Sequence, residues 1–314
     1  MRLLFAGTPA AAVPSLLALL EAGHDVATVV TNPDAPTGRG RVMAGSPVAA
    51  EARARGIEVL QPARAREDWF VDAVTHLEPD VAVVVAWGCL VPDRLLTVPT
   101  HGWINLHFSL LPAWRGAAPV QRAIMAGEQT TGVTTFELVH ELDAGPIYRQ
   151  EPVPIDPDET AGELLQRLAV LGASALVETL TDVAAGAVPQ PQPDGDVSLA
   201  PKLGPTDGHI DWAMSAAAIH DLIRGVTPAP GAWTTLEGER LKVGRTQLLD
   251  ANELVATGAV DLEPGELLAT RHELLAGTGA GGLRLTQVQP SGKPMMDGSG
   301  WARGARLRPG ARYE

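Results

Sequence analysis

The chain has 314 residues, long for one domain and ample for two, with 45% hydrophobic residues and a formal net charge of −13. Aromatic residues make up only 4% of the chain, so base stacking on an aromatic sheet is not expected as its main mode of nucleic-acid binding. Cys89 is the single cysteine, which excludes an intrachain disulfide framework and fits a reducing, cytoplasmic setting. The first apolar run stops at Gly7-Thr8-Pro9, too short for a signal-peptide core, and no membrane span is expected because no run of about 18 apolar residues occurs. The acidity is uneven: residues 206–314 carry 13 acidic and 11 basic side chains, so −11 of the charge falls on residues 1–205. Local potential, not net charge, decides where a phosphate backbone can lie.

In chain order, Arg2–Ala6 reads as a buried strand and Ala11–Glu21 as a helix with Pro14 in its first turn. Val26–Thr31 reads as a second strand, followed by a loop rich in Gly, Pro and Arg over 32–45. A helix over 47–55 leads to a short strand at 58–60. The continuous β-branched run at 81–86 suits a central parallel strand covered on both faces, and 102–106 is another short strand. This alternation predicts a doubly wound α/β, Rossmann-like sheet. Thr160 and Glu163 form a capping-box pattern at the start of a helix bearing Leu164, Leu165, Leu168 and Leu171 on one face. The Pro-rich stretch 186–196 is the best linker candidate, and beyond about Thr206 short alternating segments predict a small β-barrel with one helix near 215–224. The resulting division is 1–189, a linker over 190–205, and 206–314.

The most informative stretch is 104–123. Asn105 and His107, two apart at the end of a predicted strand, point to one side, where open α/β sheets place their ligand crevice. An amide beside an imidazole can donate hydrogen bonds to a developing oxyanion. Read alone, an N-x-H pattern more often describes a turn cap and a packed histidine. Asp143, before Ala144-Gly145 in a turn, either closes an Asx-turn or orients the imidazole and favours its charged form. The eight histidines are dispersed and Cys89 has no partner, so no metal cluster is expected.

Four motifs stand out: N-L-H-F-S-L-L-P (105–112), W-R-G-A-A-P-V-Q (114–121), T-G-V-T (131–134) and L-D-A-G (142–145). Through them, and over nearly its whole length, the sequence resembles the methionyl-tRNA formyltransferases within the wider folate-dependent formyltransferase family. The resemblance implies a Rossmann-like catalytic domain followed by an OB-like barrel. It implies that Asn105, His107 and Asp143 form a catalytic trio, with Asn105 and a protonated His107 stabilising the oxyanion and Asp143 holding His107. The attacking amine is itself the nucleophile, so no covalent enzyme intermediate is required. The donor it implies is 10-formyltetrahydrofolate, with no metal. Ser109, Leu110, Leu111 and Pro112 resemble the family's folate-contacting turn, and Trp87, Gly88 and Leu90 lie on a loop resembling the one that wraps the pterin with backbone groups. Trp87 stands where relatives often carry Tyr, and Phe108 replaces a frequent small residue.

The acceptor is a separate question. The P-D-x-P-x-G-R-G pattern from Pro33 places Arg39 and Arg41 on a loop resembling the one that meets initiator tRNA in the tRNA-formylating branch. Ile210-Asp211-Trp212 and 228–233 resemble that branch's barrel, which makes Lys202, Arg224, Lys242 and Arg245 candidate tRNA backbone contacts. The expected partner is therefore methionyl initiator tRNA, bound by a monomeric enzyme. A nucleotide-sugar formyltransferase of the same fold is the alternative. A dehydrogenase has little support, as Gly7-Thr8-Pro9-Ala10 lacks the G-x-G-x-x-G fingerprint, and a pure RNA binder would not need the trio.

Overall fold

The apolar runs at Leu3–Ala6 and Val81–Val85 need cover on both faces, and they become neighbouring parallel strands at the centre of one sheet. The structure, a computed structural model, describes residues 1–37, 42–308 and 310–314. By contact these residues form two units. The first comprises Met1–Pro119, Thr130–Pro154 and Leu165–Pro201, and the second Val120–Gln129, Ile155–Leu164 and Lys202–Glu314. The second unit thus takes in 120–129 and 155–164, and most of the stretch read as linker packs within the first.

The elements run β1 (Arg2–Gly7), α1 (Val13–Glu21), β2 (Asp25–Val30), the hairpin β3 (Ala35–Thr37) and β4 (Val42–Ala44), α2 (Pro47–Ala54), β5 (Glu58–Leu60), α3 (Asp68–Leu77), β6 (Val81–Val85), α4 (Asp93–Leu96) and β7 (Trp103–His107). Then come β8 (Arg115–Gly116), α5 (Pro119–Met125), β9 (Thr130–Glu137), β10 (Ile147–Pro154), α6 (Ala161–Ala184) and β11 (Leu199–Ala200). The main sheet of the first unit has the order β10-β9-β7-β6-β1-β2-β5. Its strands from β7 to β5 pair in parallel, while β9 is antiparallel to both β7 and β10. The chain leaves β1 towards β2 and β5, then returns to the other side of β1 with β6. In open α/β sheets such a reversal marks the place for a ligand crevice, here at the carboxyl ends of β1 and β6.

Local signals explain several helices. Ser46 accepts a 3.0 Å bond from the Ala49 amide to cap α2, and Thr160 and Glu163 form the expected capping box before α6. Within the first unit α6 packs on the sheet: the Thr179 and Thr135 hydroxyls lie 2.7 Å apart, and a Cβ on Gly172 would come within 2.7 Å of Leu106. By length and composition α6 could cross a membrane, but half of its most apolar window is buried, as in a core helix.

The second unit continues with α7 (Ala216–Gly225), β12 (Ala232–Leu236), β13 (Glu239–Leu248), α8 (Ala251–Thr257), β14 (Leu267–Ala269), β15 (Leu274–Gly277), β16 (Gly282–Pro290), β17 (Met296–Asp297) and α9 (Gly298–Ala305). Its antiparallel sheet runs β12-β13-β16-β15-β14, with β17 also on β16. The chain's last residues join the two edges: Tyr313 bridges Leu236 of β12, and Arg312 bridges Glu266 just before β14. The sheet thereby closes into a small barrel around Ile210, Trp212, Ile219, Ile223, Val243, Leu285 and Tyr313.

Candidate active site

β7 carries Asn105 and His107 to the carboxyl end of the sheet, beside β6. Their backbone groups belong to the ladders with β6 and β9, so the strand's alternation sends both side chains to one face. Among the described residues the half-buried Asn105 side chain makes no hydrogen bond, so its amide is free to donate. His107 is 6% exposed and its Nε2 lies 2.9 Å from the Trp114 carbonyl. A carbonyl only accepts, so Nε2 carries the hydrogen in that bond. The Nδ1 atom then faces Asp143 Oδ2 at 3.9 Å, beyond hydrogen-bond distance. Burial pushes the imidazole below its ordinary value, against the opposing pull of the Asp143 carboxylate and the Trp114 carbonyl. That balance of burial against the two groups disfavours the charged ring, and so runs against the protonated His107 that the resemblance implies.

Asp143 is 11% exposed, and its Oδ2 accepts a 2.7 Å bond from the Gly116 amide. It adopts φ +47°, a left-handed conformation that costs a non-glycine residue roughly 1–2 kcal/mol. Close packing explains the glycines of two motifs. A Cβ on Gly145 would stand 1.7 Å from the Glu137 carbonyl, and one on Gly116, itself at φ +125°, 2.8 Å from the Ala200 carbonyl.

The residues read as folate contacts divide by position. Ser109 and Leu111 are buried, and their backbone is pinned. Thr134 Oγ1 donates to the Ser109 carbonyl at 2.6 Å and accepts from the Leu111 amide at 3.2 Å, while Gln150 donates to the Leu111 carbonyl at 2.7 Å. Leu110 and Pro112 are half-buried. The Trp87 ring is buried against Phe70 with centroids 5.9 Å apart, so it plugs the core and offers no side-chain contact to a ligand. Its carbonyl accepts from Thr8 Oγ1 at 3.3 Å, which ties the loop after β6 to the one after β1. Positive φ angles at Ala86 and Gly88 then turn Leu90, 82% exposed, into solvent beyond the strand ends.

Residues 1–180 match the formyl transferase family, and residues 202–306 match the formyl transferase C-terminal domain. This chain belongs to the formyl transferase family. It is 53% identical to the methionyl-tRNA formyltransferase of Arthrobacter sp. over 315 residues, covering 100% of both chains. It is 51% identical to the same enzyme of Thermobifida fusca, covering 100% of this chain and 99% of the relative. Among solved structures it resembles WlaRD, a sugar 3N-formyl transferase, with a TM-score of 0.66 at 17% identity, covering 94% of this chain and 99% of that one. A methionyl-tRNA formyltransferase from Clostridium thermocellum gives 0.59 at 16% identity, covering 80% of this chain and 95% of that one. At those identities the two structures share the fold.

The basic residues behave differently from one another. Arg39 and Arg41 lie outside the described residues, on the β3–β4 connection. Lys202 is exposed and Lys242 half-buried. Arg245 forms an ion pair with Glu163. Arg224 is corrected: at 6% exposure it is internal, donating to Asp221 Oδ1 at 2.9 Å and to the carbonyls of Asp156 and Glu159 at 3.2 and 3.4 Å. Burial with three acceptors makes it a structural clasp within the second unit and not a surface contact. Among the described residues no group of three or more His, Cys, Asp or Glu is placed to hold a metal ion. Reading the sequence missed the Trp114 carbonyl and the Gly116 amide as partners of the trio, since backbone groups have no residue-type signature.

Proposed function

We propose that this member of the family transfers the formyl group of 10-formyltetrahydrofolate to the α-amino group of methionyl initiator tRNA, giving N-formylmethionyl-tRNA and tetrahydrofolate. The observation that carries this reading is the pairing of full-length relatives, about half identical and named for that acceptor, with an unpartnered Asn105 amide beside a buried His107 facing Asp143.

The chemistry follows from the site. The methionyl amine attacks the formyl carbon, a C–N bond forms, and the carbonyl pair moves to oxygen. Asn105 donates a hydrogen bond to that oxyanion. The new ammonium gives its proton to Nδ1 of neutral His107, and Asp143 Oδ2 stabilises the transient imidazolium. Collapse of the tetrahedral intermediate expels the folate nitrogen, which takes a proton from the imidazolium. Ser109–Pro112 and the Trp87–Leu90 loop border the donor through backbone groups. Lys202 and Lys242, which pair with no carboxylate among the described residues, face the acceptor's phosphates, and Arg39 and Arg41 join them on the strength of the loop motif. One chain supplies the whole trio, so a cytoplasmic monomer suffices.

The test is formyl transfer to methionyl initiator tRNA, with methionyl elongator tRNA and His107→Ala enzyme as controls. Transfer to the initiator alone, lost in the variant, supports both donor chemistry and acceptor. Folate binding without transfer to tRNA would move the acceptor to a sugar amine.

A further inference from the structure

Residues 190–200, part of the stretch 190–205 read as the linker, run alongside the loops that carry Trp114, Gly116 and Asp143. The Gln190 and Ile147 backbones exchange bonds of 2.6 and 2.8 Å. The Trp114 amide donates to Ser198 Oγ at 2.8 Å, and the Arg115 amide to the Ser198 carbonyl at 2.9 Å. β11 pairs with β8, and the Ala118 amide donates to the Ala200 carbonyl at 3.0 Å. The segment so braced, 114–118, is the one that supplies the Trp114 carbonyl to His107 and the Gly116 amide to Asp143.

Gln192 is the side chain that reaches the other loop. Its Nε2 donates to the Asp143 carbonyl at 2.7 Å and to the Gly145 carbonyl at 2.9 Å, while its Oε1 accepts from Arg115 Nη2 at 2.6 Å. Chemistry sets the orientation of the amide. A guanidinium only donates and a carbonyl only accepts, so the flipped amide would oppose donor to donor and oxygen to two oxygens. Asp143 is therefore gripped at its carboxylate by Gly116, at its own carbonyl by Gln192, and two residues on through Gly145. A non-glycine residue at positive φ persists only where its surroundings over-determine it, and these bonds supply that determination.

We propose that Gln192 is a positioning residue for formyl transfer: it clamps the Asp143 loop so that the carboxylate faces His107 Nδ1. The inference rests on the catalytic reading of Asn105, His107 and Asp143. The groups that face the His107 ring are the Asp143 carboxylate, the Trp114 carbonyl and the edge-on Phe136 ring, 6.4 Å away. Asp143 is the one ionisable group among these three, so a displaced Asp143 leaves a signature in how His107 titrates.

Two variants isolate the clamp. Gln192→Glu keeps the size and an oxygen for Arg115 but removes both donors, and Gln192→Asn keeps the donors but withdraws their reach. Transfer to methionyl initiator tRNA is measured for each across pH, with urea unfolding of the same full-length proteins. Expected in both are a kcat lower by about tenfold or more, a folate KM within about threefold, and an acid limb of kcat/KM moved to lower pH, since the Asp143 carboxylate is the larger of the two influences that raise the His107 pKa. Wild-type kcat and acid limb in both variants would overturn the proposal. So would a loss of rate that tracks loss of folded protein with the acid limb unmoved. Asp143→Asn in the same assay separates the two claims: an unimpaired Asp143→Asn enzyme sinks the trio itself, whereas an impaired one beside normal Gln192 variants sinks only the clamp.

Discussion

On the proposed mechanism, the reaction's pH dependence turns on His107. Its folded pKa lies below the ordinary 6.5, so the neutral base is present above that value and is lost as pH falls through the lower folded one. The rate constant kcat/KM should therefore decline on the acid side with a midpoint under 6.5 and stay level into the neutral range. A decline on the alkaline side through the neutral range would instead mean that an imidazolium is the working form. The same sign governs stability: the contribution of neutral His107 is complete above 6.5 and is lost as pH falls through its folded pKa, because the unfolded chain then binds the extra proton. In the same mechanism Asp143 acts on that ring, which its carboxylate faces at 3.9 Å, and not on the donor. Asp143→Asn should lower kcat by about 10²–10⁴-fold while equilibrium binding of the folate stays close to wild type. Donor affinity falling as far as turnover would contradict that division of labour. The identities of the trio are legible from residue type and spacing. The tautomer of His107 is not, because it is set by the Trp114 carbonyl, which the chain brings back through a turn.

At the scale of elements, motif glycines mark where one backbone crosses another. Gly145 returns the Asp143 loop against the carbonyl of Glu137 at the end of β9. Gly145→Ala has no room for its methyl, and we expect a loss of about 1–3 kcal/mol in urea unfolding together with a sharp fall in kcat. Unchanged stability would show that the loop can shift without penalty. Capping and periodicity in the sequence mark β1, α2, β6, β7 and the start of α6, because those signals are local. The stretch 190–200 misleads for the same reason. Its Pro and polar content describes a tether locally, and only pairing with β8 and the reach of Gln192 show that it is a wall. Arg224 misleads in the opposite sense: arginine is usually a surface residue, and two of its three acceptors lie more than 60 residues away at Asp156 and Glu159.

For the molecule as a whole, the second unit's barrel depends on the end of the chain. Tyr313 stacks on Trp212 with centroids 5.1 Å apart and sits in the core between the two sheet edges. Tyr313→Ala should cost about 3–5 kcal/mol in the unfolding of this unit, by loss of packing and of edge closure. The Tyr313 hydroxyl is buried without a partner among the described residues, and burial pushes its pKa upward. Tyr313→Phe should therefore raise stability by about 1 kcal/mol, and a loss of that size would reveal a partner for the hydroxyl.

Residue order alone determined the family and the α/β alternation, and it singled out Asn105, His107 and Asp143 as candidates, since these rest on side-chain type and on spacings of a few residues. Folding in three dimensions decided the rest. Burial pushes the His107 pKa down, β7 and the returning 114–118 segment chose its hydrogen-bonding nitrogen, and residues nearly 50 positions beyond Asp143 hold its loop. Those outcomes depend on desolvation and on contacts distant in sequence, which no local pattern of residues encodes.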